Sequence, residues 1–153
     1  MSGFASAFAF SVYALNAVFM LIVGLIYQLR ESFMPYHAAV IGKSWEQLLP
    51  AEQLLYLGMM RTEAAGFLAA SLAIGILLLI PYRRGERWAA PAIFLIAVVE
   101  YLPTAIATYR VSLLSDANPP WVLMCLALVS LLLALLVPLI GGRFFKNGNA
   151  SSV

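Results

Sequence analysis

Four apolar segments, each long enough to cross a lipid bilayer, constrain this sequence more than any other feature. They cover residues 4–29, 51–80, 88–111 and 121–141. About 20 apolar residues in a helix span the hydrocarbon layer, and a helix satisfies its own backbone hydrogen bonds there. The sequence therefore predicts an all-α integral membrane four-helix bundle, a single domain of residues 1–142, followed by a flexible polar tail at 143–153.

Composition excludes several classes of function. The chain is 63% hydrophobic and 10% charged, whereas soluble domains have about 25% charged residues. A net charge of +2, with scattered basic residues, argues against a nucleic-acid-binding face. The single cysteine, Cys125, excludes an intrachain disulfide. His37 has no partner at metal-ligand spacing and is interpreted as a surface histidine, so we expect neither a metal nor a cofactor.

Charge placement predicts the orientation in the membrane. No basic residue precedes the first apolar segment, so we expect a retained helix rather than a cleaved signal peptide. Four spans place both termini on one side. That side carries more basic residues than the other, namely Arg83, Arg84, Arg87, Arg143 and Lys146. Because basic loops favour the cytoplasm, we expect a multi-pass inner-membrane protein with cytoplasmic termini.

Local signals predict where the second span begins and ends. Pro35 prevents the first helix from continuing. Ser44 and Gln47 form a capping-box pattern, which predicts either a short interfacial helix or a packed loop. Pro50 is suited to the first position of the second span, and Glu52 would lie in its first turn. Pro81 is expected to end that span.

The third span carries an acidic residue near its middle. Glu100 shares a helical face with Thr104 and Thr108. A carboxylate at that depth costs about 2.5–3.5 kcal/mol, so it requires a partner, a proton or a function. In a structural interpretation it is protonated or paired with Arg61 or Arg110. In a functional one it lines a water-accessible cavity that binds a polar head group, a cation or a proton.

Other polar residues fall near this acid. At about 1.5 Å per residue, Asn16 lies at a depth similar to that of Glu100, and Tyr13 lies on the same face as Asn16. Arg61, Glu63 and Arg110 form a second layer, although Arg61 and Glu63 are two residues apart and face different directions. The sequence predicts a pocket built by the first three spans, with these candidate ligand-binding residues: Tyr13, Asn16, Arg61, Glu63, Glu100, Thr104, Thr108 and Arg110.

Two family resemblances can be stated. Met60-Arg61, Gly66 and the run from Ile80 to Ala89 resemble small four-helix bacterial membrane proteins of the DoxX-like type, which have no settled activity. Gly85, Trp88 and the Pro91 run resemble, more weakly, the turn into the third helix of EXPERA bundles, the group of the sterol isomerase and the sigma-2 receptor. That likeness implies binding or isomerisation of a sterol-like lipid, but it assigns no catalytic residue here.

The expected function follows from a bundle pattern without a catalytic motif. We expect a non-enzymatic protein that binds a lipid or a small hydrophobic ligand, or an accessory subunit of a membrane complex. Its expected partners are membrane lipids and either further copies of itself or other subunits. The alternatives are a small proton-coupled transporter that uses Glu100 and an EXPERA-like lipid isomerase.

Overall fold

The structure is a computed structural model that describes the backbone of residues 3–148 and the side chains of residues 5–138. Within that range it is helical and has no strand. Its α-helices are α1 (Gly3–Leu29), α2 (Pro35–Ile41), α3 (Pro50–Leu77), α4 (Ala89–Leu114) and α5 (Trp121–Gly148). A 3₁₀ turn covers Trp45–Gln47, and a π turn at Leu78–Tyr82 extends α3. Four of these elements (α1, α3 with its π turn, α4 and α5) are long and apolar enough to cross a membrane. The predicted all-α class with four candidate spans is confirmed.

Helix α1 is the centre of the bundle. It packs against α3 and α5, while α4 packs mainly against α5, and the contact between α3 and α4 is the least extensive of these. Close approach of α1 and α3 depends on small residues. A Cβ added to Gly24 would lie 2.8 Å from Leu68 Cγ, and the Ser71 hydroxyl donates a 2.8 Å hydrogen bond to the carbonyl oxygen of Ala17. Small residues permit this kind of approach between helices in lipid.

The distribution of side chains suits a protein surrounded by lipid. The face of α1 that carries Tyr13 and Met20 is fully buried. Large apolar side chains elsewhere point outward, for example Leu72 with 67% and Val99 with 73% of its surface exposed. Apolar exposure on this scale is costly in water but favourable against acyl chains.

The predicted caps at the start of α3 are present. The backbone N–H of Leu49 donates a 2.8 Å hydrogen bond to Glu52 Oε2, and Pro50 is the first helical residue. The N–H of Ser44 donates to Gln47 Oε1 at 2.8 Å, at the start of the 3₁₀ turn. The segment predicted to be either a short interfacial helix or a packed loop is thus a loop that contains a single 3₁₀ turn.

Three boundaries differ from the sequence prediction. Helix α1 already ends at Leu29, before Pro35 is reached. Pro35 instead begins α2, since a proline at the first position loses no helical hydrogen bond. Pro81 lies inside the π turn, so the helix ends at Tyr82. Helix α5 continues through Gly141 and Gly142 to Gly148, because each glycine costs only about 1 kcal/mol in a helix and does not by itself stop one. The predicted tail is therefore helical from residue 143 to 148, and its last five residues, 149–153, lie outside the described residues.

Candidate functional site: a groove between α3 and α4

A groove of about 960 Å³ runs between α3 and α4. It forms because each of these helices has its main packing partner elsewhere, α3 on α1 and α4 on α5. Its walls are mostly apolar, with the small residue Gly58 giving space on the α3 side. The apolar lining is Ala51, Leu54, Leu55, Gly58, Met59, Val99 and Pro103. We call this space the α3–α4 groove.

Two carboxyl groups and a hydroxyl line the groove where α3 and α4 come together. The Thr104 hydroxyl lies 3.2 Å from Glu63 Oε1. Glu100 is half-buried, and its carboxylate lies beside the backbone of Gly66. Since Glu63, Gly66, Glu100 and Thr104 all line the same groove, the antiparallel pairing of α3 and α4 brings together acids that are far apart in sequence.

Thr104 connects the two acids. Its hydroxyl donates a 2.9 Å hydrogen bond to the backbone oxygen of Glu100 and is also placed to donate to Glu63 Oε1. Pro103 lacks an N–H, so α4 has one helical bond fewer beside this point. Because a hydroxyl carries one proton, the two acceptors compete for it, and the Glu63 carboxyl is open to a further donor. Thr108, one turn on, bonds to the carbonyl oxygen of Thr104 at 2.6 Å.

The predicted arginines do not join this site. Arg61 and Arg110 are exposed, and neither lines the groove. Within the described side chains, the ion pair is that of Lys43 with Glu52 at 3.8 Å. The pairing of Glu100 with Arg61 or Arg110, one alternative of the structural interpretation, therefore does not form. Arg61 and Glu63 are two residues apart on α3, and only Glu63 faces the groove.

Asn16 and Tyr13 lie in the bundle core instead. Asn16 donates a 3.2 Å hydrogen bond to Ser130 Oγ on α5 and accepts a 3.3 Å hydrogen bond from the Tyr101 hydroxyl on α4. The predicted similarity in depth with the third span holds, but the neighbour is Tyr101 rather than Glu100. Tyr13 is fully buried, and its ring packs edge-on against Tyr82 at 5.6 Å between centroids.

A second cavity, of about 490 Å³, opens beside α2. It meets the α3–α4 groove at Met59, Glu63, Pro103 and Thr104, which line both. Its other walls carry four aromatic side chains among aliphatic ones: Tyr27 from α1, Tyr36 and His37 from α2, and Tyr56 from α3. We call this space the α2 vestibule. This aromatic lining was not predicted from the sequence, although the clustering of aromatic residues between positions 27 and 56 was a usable signal.

His37 holds the N-terminus of α2. Its Nδ1 accepts a 3.3 Å hydrogen bond from the backbone N–H of Met34, and its ring lies 4.3 Å from that of Tyr36. Partial burial lowers the pKa of His37 below its usual value, because an apolar setting disfavours the cation. Burial raises the pKa of Tyr36, whose hydroxyl is hydrogen-bonded to that of Tyr27. Both groups are therefore neutral near pH 7.

Fold and site together define an all-helical protein with four potential membrane spans and a partly polar groove. Comparisons of the chain with protein-family models, curated proteins and solved structures gave no match. The DoxX-like and EXPERA-like resemblances therefore stay predictions. Among the described residues, no group of three or more His, Cys, Asp or Glu is placed to hold a metal ion.

Proposed function

We propose that this chain is a multi-pass membrane protein that binds a small hydrophobic or amphiphilic ligand in the α3–α4 groove, without chemical conversion of that ligand. The observation that carries the proposal is the groove itself. It offers about 960 Å³ of space, apolar walls and a few convergent polar groups. Binding sites for small molecules typically have this size and this combination of surfaces.

The groove also faces the lipid from which such a ligand would come. Val99 and Leu54, both in its wall, have 73% and 74% of their surfaces exposed. In a bilayer this opening would admit a hydrophobic molecule sideways between α3 and α4. The polar end of the molecule would meet Glu63, Glu100 and Thr104.

A pair of glycine variants tests the proposal. In Gly58→Phe the new ring would occupy the groove, because nothing lies within 4 Å of a Cβ added at Gly58. In the control, Gly75→Phe, the added side chain on the same helix also has open space, but Gly75 does not line the groove. Lipids and other small hydrophobic molecules that co-purify with each protein in mild detergent would be identified by native mass spectrometry.

We expect a specific bound molecule on the wild type and on Gly75→Phe, and at least a tenfold lower occupancy on Gly58→Phe. Equal occupancy of all three proteins, with both variants folded, would show that the groove is not the binding site. The absence of any retained molecule from the wild type, with no binding of added long-chain alcohols, would also contradict the proposal.

A proton-coupled transporter is the second candidate function. It is favoured by the junction of the groove with the α2 vestibule at Glu63 and Thr104, which offers a path between lipid and water beside Glu100. This function predicts that Glu100→Gln abolishes proton-driven substrate movement in proteoliposomes while the protein remains folded. Unchanged transport by that variant would exclude a coupling role for Glu100.

For the orientation, we propose the inner membrane with both termini in the cytoplasm, supported by the basic residues around Arg83, Arg84 and Arg87. The α2 vestibule would then face outward. Single cysteines introduced at Arg84 and at Lys43 in a Cys125→Ser background test this arrangement. Only the cysteine at position 43 should react with an impermeant maleimide in intact cells.

A further inference from the structure

The charged side chains that line the two cavities are all acidic. Both the α3–α4 groove and the α2 vestibule are lined by Glu63, and the groove also by Glu100. Among the described side chains, residues 5–138, no lysine or arginine lines either cavity. Glu63 is exposed in the open groove, and an occupant of the groove would remove its carboxylate from water. Burial of a carboxylate without a cationic partner is unfavourable, so an occupant that brings a positive charge would be bound better than a neutral one.

The aromatic vestibule gives a second, independent indication. Tyr27, Tyr36 and Tyr56 line the cavity into which Glu63 also faces. Aromatic ring faces attract ammonium groups, and sites for quaternary ammonium ligands commonly combine several aromatic side chains. A cation at the junction would therefore meet carboxylate oxygens on one side and aromatic rings on the other.

A phospholipid fits this lining poorly, although many phospholipids carry an amine. Their phosphate lies close to the amine, and the described lining of the two cavities offers no lysine or arginine to receive it. Beside Glu63 and Glu100 such a phosphate would be repelled. A cation attached directly to an apolar tail avoids this repulsion.

From this arrangement we propose that the site selects an amphiphilic amine, with its ammonium group at the junction of the two cavities beside Glu63 and its apolar tail in the α3–α4 groove. The inference rests on the proposed function and adds the charge of the ligand. It makes Glu63 the principal determinant of specificity, with Glu100 as the second acid and the vestibule tyrosines as the aromatic wall.

Binding of dodecyltrimethylammonium tests the proposal. Tritiated ligand would be titrated onto the immobilised full-length protein in neutral maltoside micelles. Dodecanol, which has the same chain without charge, and dodecylphosphocholine, which adds a phosphate, would be titrated in parallel. The variants are Glu63→Gln and, as a control with the same change in net charge, Glu31→Gln, because Glu31 is exposed and lines neither cavity.

We expect the wild type to bind dodecyltrimethylammonium at least tenfold more tightly than either comparison ligand, a difference of about 1.4 kcal/mol. Glu63→Gln should remove that advantage and still bind dodecanol, whereas Glu31→Gln should behave like the wild type. Gly58→Phe should weaken the binding of dodecyltrimethylammonium and of dodecanol.

The outcomes separate this inference from the proposed function. Equal binding of the cation and dodecanol by the wild type, or equal effects of Glu63→Gln and Glu31→Gln, would overturn the ammonium preference and leave the groove as a binding site. Tighter binding of dodecylphosphocholine would overturn it in favour of a phospholipid. If no ligand binds, or if Gly58→Phe has no effect on any of them, both proposals fail. The comparison of the three ligands on the wild type does not depend on whether any variant folds.

Discussion

Gly66 on α3 and Glu100 on α4 are in direct contact, backbone against carboxylate. A Cβ added to Gly66 would lie 3.0 Å from Glu100 Oε2 and 3.1 Å from Oε1, which is closer than ordinary van der Waals contact. The missing side chain at Gly66 therefore makes room for the acid between the two helices. In this position the Glu100 carboxylate can line the groove rather than turn away from it.

The first prediction concerns this contact. In Gly66→Ala the Glu100 carboxylate must move by a few tenths of an ångström, which is possible because it is the end of a flexible side chain. Alanine also favours the helix by about 1 kcal/mol relative to glycine. We expect the thermal stability in detergent to be unchanged or slightly higher, with weaker binding of dodecyltrimethylammonium.

The control for that variant is Gly75→Ala, where no atom lies within 4 Å of the added Cβ. It should be stabilised without a change in binding. A large loss of stability in Gly66→Ala that is not relieved in the double variant Gly66→Ala/Glu100→Ala would show that the carboxylate does not occupy this space.

The second prediction is that Asn16→Ala destabilises the bundle by about 1–3 kcal/mol. The change removes two hydrogen bonds between helices, to Ser130 and from Tyr101, each of which is worth about 0.6–1.7 kcal/mol in a membrane. Unfolding in a denaturing detergent measures the loss. Ser11→Ala, an exposed position on the same helix, should change the stability by less than about 0.5 kcal/mol; a similar effect at both positions would contradict the assigned network.

The third prediction contrasts two fully buried tyrosines. The Tyr101 hydroxyl donates to Asn16, whereas the Tyr13 hydroxyl has no hydrogen-bond partner among the described residues. Removing a buried hydroxyl without a partner costs nothing and relieves a desolvation penalty of about 1–3 kcal/mol. Tyr13→Phe should therefore be neutral or stabilising, and Tyr101→Phe destabilising, in the same unfolding assay. Equal destabilisation would show that the Tyr13 hydroxyl has a partner such as a buried water.

The fourth prediction is the pH dependence of α2. His37 has a lowered pKa in the folded protein, against about 6.5 when unfolded, so the unfolded state binds more protons between these two values. Its contribution to stability is complete above about pH 6.5 and is lost as the pH falls through the lowered value. Protonation also removes the Nδ1 acceptor that caps Met34.

His37 is the single histidine of the chain, so its resonances in an NMR titration can be assigned without ambiguity. The midpoint should lie below pH 6.5, and the fall in stability under acid conditions should be smaller in His37→Gln. A midpoint at or above 6.5 would contradict the burial of this ring.

The membrane-like architecture could be predicted because its signals are local. A run of about 20 apolar residues has few alternatives, and the caps at Pro50 and Ser44 depend on neighbours within three residues. Helix α2 was missed because it has seven residues, too few to show a helical period, and because Pro35 was interpreted only as a helix breaker.

The candidate site could be predicted only in part, because it depends on how the helices face one another. Glu63, Glu100 and Thr104, three of the predicted pocket residues, do line one groove. Hydropathy could not indicate which of Arg61 and Glu63 would face it. The partner of Asn16 on α5, Ser130, is 114 positions away. Only the packing of α1 between α3 and α5 brings such residues together.

The central position of α1 has a consequence for the order of assembly. A chain made from its N-terminus provides α3 with its main partner as soon as α3 has been made, whereas α4 must wait for α5. The seam between α3 and α4 is thus the last part of the molecule to be fixed in place. A ribosome stalled before α5 would leave Glu100 on a helix that touches α3 but lacks its main packing partner.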